Sequence, residues 1–261
     1  MKVIILAAGM ATRFGAYLEG RPKCLLELLG TSILERQIAL FRKCGIQDIV
    51  IVKGYSPDSI TVPGARYYLN SEFRETNMVH SLFCAQPELY GDVVISYADI
   101  LCDRNSVGAV LSCKGHPITV AVDVDWEKYY GSRYEDAFSE AESLVTDPTG
   151  DILEIGESNP ARNRVQGQYI GLIKLDERGA QLFVSYYQRF VQESGGETWF
   201  RGRSFRKAFM TDFLQALIDR GVSIHAAPIH NGWLEFDSPS DYEKVLGWIK
   251  TKEIDRFCEL A

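Results

Sequence analysis

The sequence predicts an α/β fold: an open, mostly parallel, Rossmann-like sheet flanked by helices and carrying a small β-rich insertion. Two observations predict it. Across residues 1–114, short β-branched runs alternate with helical patterns over short links, which is the rhythm of βαβ units. After about Gly115 the rhythm changes to apolar runs broken by turn signals, and helical patterns return later. No internal repeat or low-complexity linker divides the chain, so residues 1–261 are read as one domain whose halves, 1–114 and 115–261, differ in rhythm.

Each element has a local cause. Val3–Leu6 is the β-branched run of a strand buried on both faces. In "TSILERQIALFRKCG" the apolar residues Ile33, Leu34, Ile38 and Leu40–Phe41 recur at helical spacing, between a capping Thr/Ser and Gly45. "DIVIVKGY" is the next strand, "TNMVHSLFCAQPEL" a second helix, and "GDVVISYADI" a third strand that ends in an aspartate. "PITVAVDVD" is a strand, and "AESLVTDPTGDILEIGE" folds back on its Asp-Pro-Thr-Gly turn as a hairpin. "GQYIGLIKLD" is another strand. Helices are predicted over Asp176–Glu193 and Ser204–Asp219, then the strands "GVSIHAAPI" and "GWLEFD", then a helix over Ser240–Lys250.

Composition narrows the function classes. With 46% hydrophobic and 24% charged residues, 261 residues suffice to bury a full core and carry no disordered bias. The net charge of −7 argues against general nucleic-acid binding, so a polyphosphate ligand would need local cations or a metal. The six cysteines form no C-x-x-C pair, which predicts reduced thiols in a cytoplasmic protein. "MKVIILAAG" imitates a leader peptide, but its apolar run is short and a buried first strand explains it better. No stretch approaches the ~18 apolar residues of a membrane span.

The stretch "LAAGMATR" (Leu6 to Arg13) follows the first strand, with "RPK" ending at Lys23. Small residues at Ala7, Ala8 and Gly9 allow a ligand close to the backbone, and the cations beyond suit an anionic one. There is neither a G-x-G-x-x-G nor a G-K-[S/T], which excludes a dinucleotide fingerprint and a Walker loop. On its own "AAG" also reads as a plain strand-to-helix turn. The combination L-A-A-G-M-x-[S/T]-R, then R-P-K, then an apolar stretch with "LLG", resembles the signature of the sugar-phosphate nucleotidyltransferases, the NTP transferase family. The resemblance implies that Leu6, Ala7, Ala8, Gly9 and Met10 line the nucleotide and that Arg13 and Lys23 hold its phosphates as the catalytic cations. Ala11 stands where many members have a second glycine, and is small enough to keep the backbone accessible.

Nucleotidyl transfer needs a divalent cation to neutralise the triphosphate. Asp99 ends a strand at the carboxyl edge where open α/β sheets bind ligands, and Asp237 precedes the last helix. Alone, Asp99 reads as the start of a turn and Asp237 as a helix cap. Together they match the two metal-binding aspartates of the family, which implies Mg2+ as cofactor.

Within that family, cytidylyltransferases acting on phosphocholine and on small phosphonates resemble this chain further, through "NMVHSL", "GWLEFD" and the middle segment from Asp125. By this likeness Asn77 and Ser81 sit near the base or ribose; the plainer reading is that Asn77 caps its helix and Ser81 packs. For the acceptor, Trp126, Tyr129 and Tyr130 could face a quaternary ammonium, although such spacing also suits a core. Arg133, Arg162, Arg164 and the run from Arg201 to Lys207 could hold a phosphorus group or a carboxylate, and Glu142 and Asp212 an amino end. The four histidines are assigned nothing.

The resemblance therefore implies a Mg2+-dependent cytidylyltransferase that uses CTP and a small phosphorylated or phosphonate acceptor. Residues 1–114 would form the nucleotide-binding half, and 115–261 the acceptor-binding half with the metal-binding C-terminal segment. Neither nucleic acid nor a membrane is expected as a partner, and a homodimer is left open. The alternatives are a sugar-1-phosphate nucleotidyltransferase using another triphosphate, and a non-catalytic nucleotide-binding regulator. Lys23, Asp99 and Asp237 together argue against the regulator, which could dispense with a metal.

Overall fold

In chain order the main elements are β1 (Lys2–Ala7), α1 (Ile33–Lys43), β2 (Asp48–Lys53), β3 (Arg66–Leu69), α2 (Met78–Cys84), β4 (Val93–Tyr97), β5 (Ile100–Cys102), α3 (Arg104–Ser112), β6 (Ile118–Asp123), α4 (Trp126–Arg133), β7 (Glu142–Thr146), β8 (Ile152–Ser158), β9 (Gln168–Leu175), α5 (Glu177–Glu193), α6 (Met210–Ile218), β10 (His225–Ile229), β11 (Trp233–Glu235) and α7 (Pro239–Thr251). They come from a computed structural model that describes every residue except Ala11, Gly196, Glu197 and Ala261. The expectation about Ala11 therefore falls outside the described residues.

Seven strands form the central sheet in the order β10-β6-β9-β4-β1-β2-β3. All run in one direction except β9, which is antiparallel to both β4 and β6. The expected open, mostly parallel sheet is thus present, with one reversed strand near its middle. Alternation along β1 shows why it sits at the centre. Val3 and Ile5 pack with Leu34, Ile38 and Phe41 of α1, while Ile4 packs on the opposite face with Val79 and Leu82 of α2. A strand covered on both faces must be apolar throughout, as β1 is.

The predicted cap of α1 is a full capping box: Ser32 accepts from the Glu35 amide, and the Glu35 carboxylate accepts from the Ser32 amide. The hairpin β7–β8 forms antiparallel as expected. One helix differs from expectation. The stretch from Ser204 begins as a short hairpin arm and a 3-10 turn, Phe205–Lys207, and helix geometry starts only at Met210, where the Asp212 carboxylate accepts from the Phe209 amide. That acceptor satisfies an orphan N–H of the first turn and so sets the start. A two-stranded ribbon stands apart from the main sheet: β11 runs antiparallel to β5, with Trp233 opposite Cys102, Leu234 opposite Leu101 and Glu235 opposite Ile100. Among the described residues no helix is long and apolar enough to cross a membrane, and all six cysteines are free.

At the edge where β1 and β3 begin, Glu88 is buried and accepts from Arg66 Nε (2.7 Å), Arg66 Nη2 (2.8 Å), Lys2 Nζ (3.0 Å) and Tyr68 Oη (3.0 Å). The Arg66 hydrogen bonds, against the cost of burial, hold its carboxyl down to about 2 from an ordinary 4.5. A lowered folded-state pKa means that the stabilisation is fully present above the ordinary value and is lost as pH falls from 4.5 toward 2. Glu88→Gln should destabilise the fold by about 2–3 kcal/mol at pH 7. Urea denaturation as a function of pH should show the gap to wild type narrowing below about pH 4.5.

Candidate active site

The chain leaves β1 toward β2 and β3 on one side, then crosses back to β4 on the other, so the sheet has a switch point between β1 and β4. Ligands of open α/β sheets bind outside the carboxyl ends of strands at such a point. A cleft of about 220 Å3 lies there, walled by Leu6, Ala7, Ala8, Gly9 and Met10 on one side and by Asn77, Met78 and Ser81 on another, with Lys23 and Asp99 at its edge.

The small residues have separate reasons. A Cβ on Gly54 would lie 2.5 Å from the Ala8 carbonyl oxygen, so glycine there lets the end of β2 close on the turn, fixed by the Tyr55 amide donating to Ala8. A Cβ on Gly9 would meet nothing within 4 Å: what glycine leaves open at that position is cleft rather than protein.

Lys23 follows Pro22 on a 3-10 turn and is mostly buried. Its Nζ donates to Asp99 Oδ2 at 2.7 Å and to Asp237 Oδ1 at 3.1 Å. Burial pulls the Lys23 pKa down, but the two carboxylates outweigh it and the ammonium is held charged well above its ordinary value. Asp99 occupies the turn between β4 and β5; Asp237 follows β11, and the Phe236 amide donates to the Asp99 carbonyl across the ribbon. Asp237 also lies 3.5 Å from Arg133 Nη2. Burial acts to raise its pKa, yet Lys23 and Arg133 together hold it below the ordinary value.

Behind these groups Arg133 donates to Glu235 Oε2 at 2.7 Å and to Asp241 Oδ1 at 3.0 Å, its side chain 1% exposed. Arg133 is thus a buried tie between α4, β11 and α7, which corrects the expectation that it meets the acceptor. Burial, with Asp237 adding to it, pushes the Glu235 carboxyl up from its ordinary value. Two cations, Lys23 and Arg133, face four carboxylates here. Of these, Asp99 and Asp237 converge on one cation position, the one Lys23 takes, and hard carboxylate oxygens so placed fit a divalent ion such as Mg2+.

The remaining expectations divide. Asn77 accepts from the Met78 amide at the start of α2, its own N–H donates to Arg206, and it still lines the cleft. Ser81 lines the cleft but is buried and accepts from Asn70 Nδ2 at 2.9 Å. Arg13 is exposed on the turn Thr12–Phe14 and is not among the described residues that line the cleft. Trp126 and Tyr129 are 2% and 1% exposed, and the expected ammonium face is not there. Helical spacing turns both rings into the core, where Tyr129 Oη accepts from the Glu235 amide at 2.8 Å and so braces the ribbon. Asp212 is likewise buried, capping α6 with Arg201 and Arg203 about 3.5 Å away. Glu142 is partly buried at the start of β7; burial raises its pKa and Arg201 opposes that. Arg162 and Arg164 pair on the surface with Asp136 and Glu154.

Sequence reasoning missed Phe73, Thr76 and Tyr97, all of which line the cleft. Tyr97 stands two residues before Asp99, so its place at the strand's carboxyl end was available. Phe73 and Thr76 belong to a loop ordered by Asn70, whose buried amide donates to Thr76 and Ser81 and accepts from the Glu72 amide.

Comparison with known proteins gives the chain a family and relatives of the same fold. The profile of the MobA-like NTP transferase domain matches residues 3–151. The chain is 31% identical over 254 residues to the CTP:phosphoglutamine cytidylyltransferase of Campylobacter jejuni, covering 93% of this chain and 98% of that one. It is 35% identical over 109 residues to the choline-phosphate cytidylyltransferase of Haemophilus influenzae, 40% of this chain and 46% of that one. The solved structure of the CTP:phosphocholine cytidylyltransferase of Streptococcus pneumoniae superposes with a TM-score of 0.73 at 20% identity, over 95% of this chain and 98% of that one, a likeness of fold. The chain is a nucleotidyltransferase and belongs to the MobA-like NTP transferase family.

Proposed function

We propose that the protein is a Mg2+-dependent cytidylyltransferase that moves CMP from CTP to a phosphate or phosphonate oxygen of a small acceptor and releases pyrophosphate, working as one domain. The observation that carries this reading is Lys23 Nζ held between Asp99 and Asp237 at the edge of the cleft walled by Leu6–Met10. Identity along nearly the whole chain with a CTP:phosphoglutamine cytidylyltransferase supports the choice of nucleotide and of a phosphorylated acceptor.

In this reading the backbone of Ala7 to Met10 lies along the nucleotide, and Asn77 and Ser81 face the base or ribose. Exposed Arg13 would come over the triphosphate. The acceptor oxygen is already ionised at neutral pH, so no protein base is required. It forms a bond to the α-phosphorus as the bond from that phosphorus to the bridging oxygen breaks, and the electron pair leaves with pyrophosphate. Lys23 neutralises charge on the reacting phosphate and fixes its position. Mg2+, held by Asp99 and Asp237, supplies further neutralisation of the triphosphate when bound.

Burial of Trp126 and Tyr129 keeps these two rings from facing a choline head. Partly buried Glu142 with half-exposed Arg203 suits an acceptor that carries an ammonium and a carboxylate. The test is pyrophosphate release from each of the four common nucleoside triphosphates against phosphoglutamine, phosphocholine, 2-aminoethylphosphonate and glucose 1-phosphate. CTP should be preferred over UTP, because the exocyclic amine and carbonyl demand opposite hydrogen-bond partners, and phosphoglutamine should outcompete phosphocholine. Equal use of all four triphosphates would remove the cytidylyl assignment; a clear preference for glucose 1-phosphate with another triphosphate would replace it with sugar activation.

A further inference from the structure

Away from the cleft, three segments distant in sequence bring His116, Asp151 and His225 together. His116 lies in the loop before β6, Asp151 ends the turn of the β7–β8 hairpin, and His225 opens β10. Because β6 and β10 run in the same direction as β4, their first residues sit at the sheet edge opposite the cleft. The two imidazoles are stacked, centroids 3.7 Å apart and planes 13° from parallel. His225 Nδ1 lies 3.2 Å from Asp151 Oδ1. One ligand-capable atom from each of the three residues falls within 4.8 Å of the other two, and all three are partly exposed.

We infer that these residues form a second metal site, one for a borderline divalent ion such as Zn2+, Co2+ or Ni2+, which clips the hairpin to the edge strand. Two imidazole nitrogens and one carboxylate oxygen are the donors such ions select, whereas Mg2+ prefers oxygen alone. Ligand atoms about 2.1 Å from a shared tetrahedral ion stand roughly 3.4 Å apart, so loading would draw in atoms now within 4.8 Å of one another and turn the stacked rings until both nitrogens face the ion.

The surroundings are those of a prepared site. Ser223 Oγ donates to Asp151 Oδ2 at 2.7 Å and fixes the carboxylate from behind, as metal-ligating groups are commonly held. The Ile152 amide donates to Ile224 and the Ala226 amide to Gly150, so the backbones carrying Asp151 and His225 are already paired. Gly150 has φ +88°, and a Cβ there would meet His225 Cε1 at 2.9 Å; glycine is required for the ring to lie over the turn. The three-residue set leaves a coordination position for water, so the clip would be loaded from solvent.

The test is a Co2+ titration of the chain without an affinity tag, with Mg2+ in excess to occupy the carboxylate site. Ligand-field absorption should saturate at one equivalent per chain, without the near-ultraviolet band of a cobalt–thiolate bond. His116→Gln and His225→Gln should each abolish that saturable absorption, Lys23→Ala should retain it, and Ser223→Ala should weaken Co2+ binding about tenfold. Zn2+ should raise the melting temperature of the wild type, reversibly with chelator; this readout needs no variant to fold. No saturable Co2+ binding, binding undiminished in both histidine variants, a thiolate band, or a melting temperature unmoved by Zn2+ would overturn the site.

Discussion

Lys23→Ala lowers turnover at saturating CTP by about 10^2- to 10^3-fold, the usual cost of removing one preorganised charge from a phosphoryl or acyl transfer site. The expectation follows from what Nζ touches. It is the one cation within hydrogen-bond distance of both Asp99 and Asp237 among the described residues, and those carboxylates keep it protonated. Folding should change little: the three side chains are 20%, 23% and 40% exposed, so solvent screens the charges left behind and the loss stays below about 2 kcal/mol. Lys23→Arg should recover only part of the rate, since a planar guanidinium cannot take the place of a compact point charge between two carboxylates. Steady-state rates with calorimetric CTP affinity check this. Turnover near wild type in Lys23→Ala would leave the lysine a structural counterion.

Asp99→Asn and Asp237→Asn should each reduce turnover by about 10^3-fold, with a smaller loss of CTP affinity, because an amide keeps the shape of the carboxylate but not the charge that draws a divalent ion. The Mg2+ concentration giving half-maximal residual activity should rise in both variants. Metal and CTP should bind cooperatively in the wild type, since the cleft's carboxylates and the phosphates repel until a cation joins them. Unchanged Mg2+ dependence in either variant, or full wild-type activity in excess chelator, would show that these aspartates hold no metal.

How much of this was legible beforehand follows from where each signal is written. The turn Leu6–Gly9 and Asp99 could be placed at the cleft because each follows a strand that its own apolar run identifies, whereas Lys23 is singled out by the family's R-P-K signature. Asp237 is singled out only by the resemblance to the family, since its place just before a helix start reads by itself as a cap. The roles of Trp126, Tyr129 and Arg133 could not, since composition and spacing make a helix face without saying which side of it meets the core. Arg133 is buried by Glu235 and Asp241, more than a hundred residues away, and its neutralisation is a long-range fact. In the same way β3 escaped notice, because "RYYL" is a mostly exposed edge strand without an apolar run. The reversal of β9 left no trace either: buried on both faces, it reads the same in either direction.

The ribbon of β11 on β5 has a consequence in time. Asp99 is made early in the chain and Asp237 late; Lys23 is separated from them by 76 and 214 residues. As the chain emerges from the ribosome, β1 to β4 are made within the first hundred residues, but a domain folds as a unit, and β9, which pairs with β4, is still to come. The second carboxylate arrives only when Trp233–Glu235 zips along Ile100–Cys102 and the Phe236 amide reaches the Asp99 carbonyl. The three groups of the proposed site therefore cannot meet until Trp233–Glu235 has been made, more than a hundred residues after Asp99.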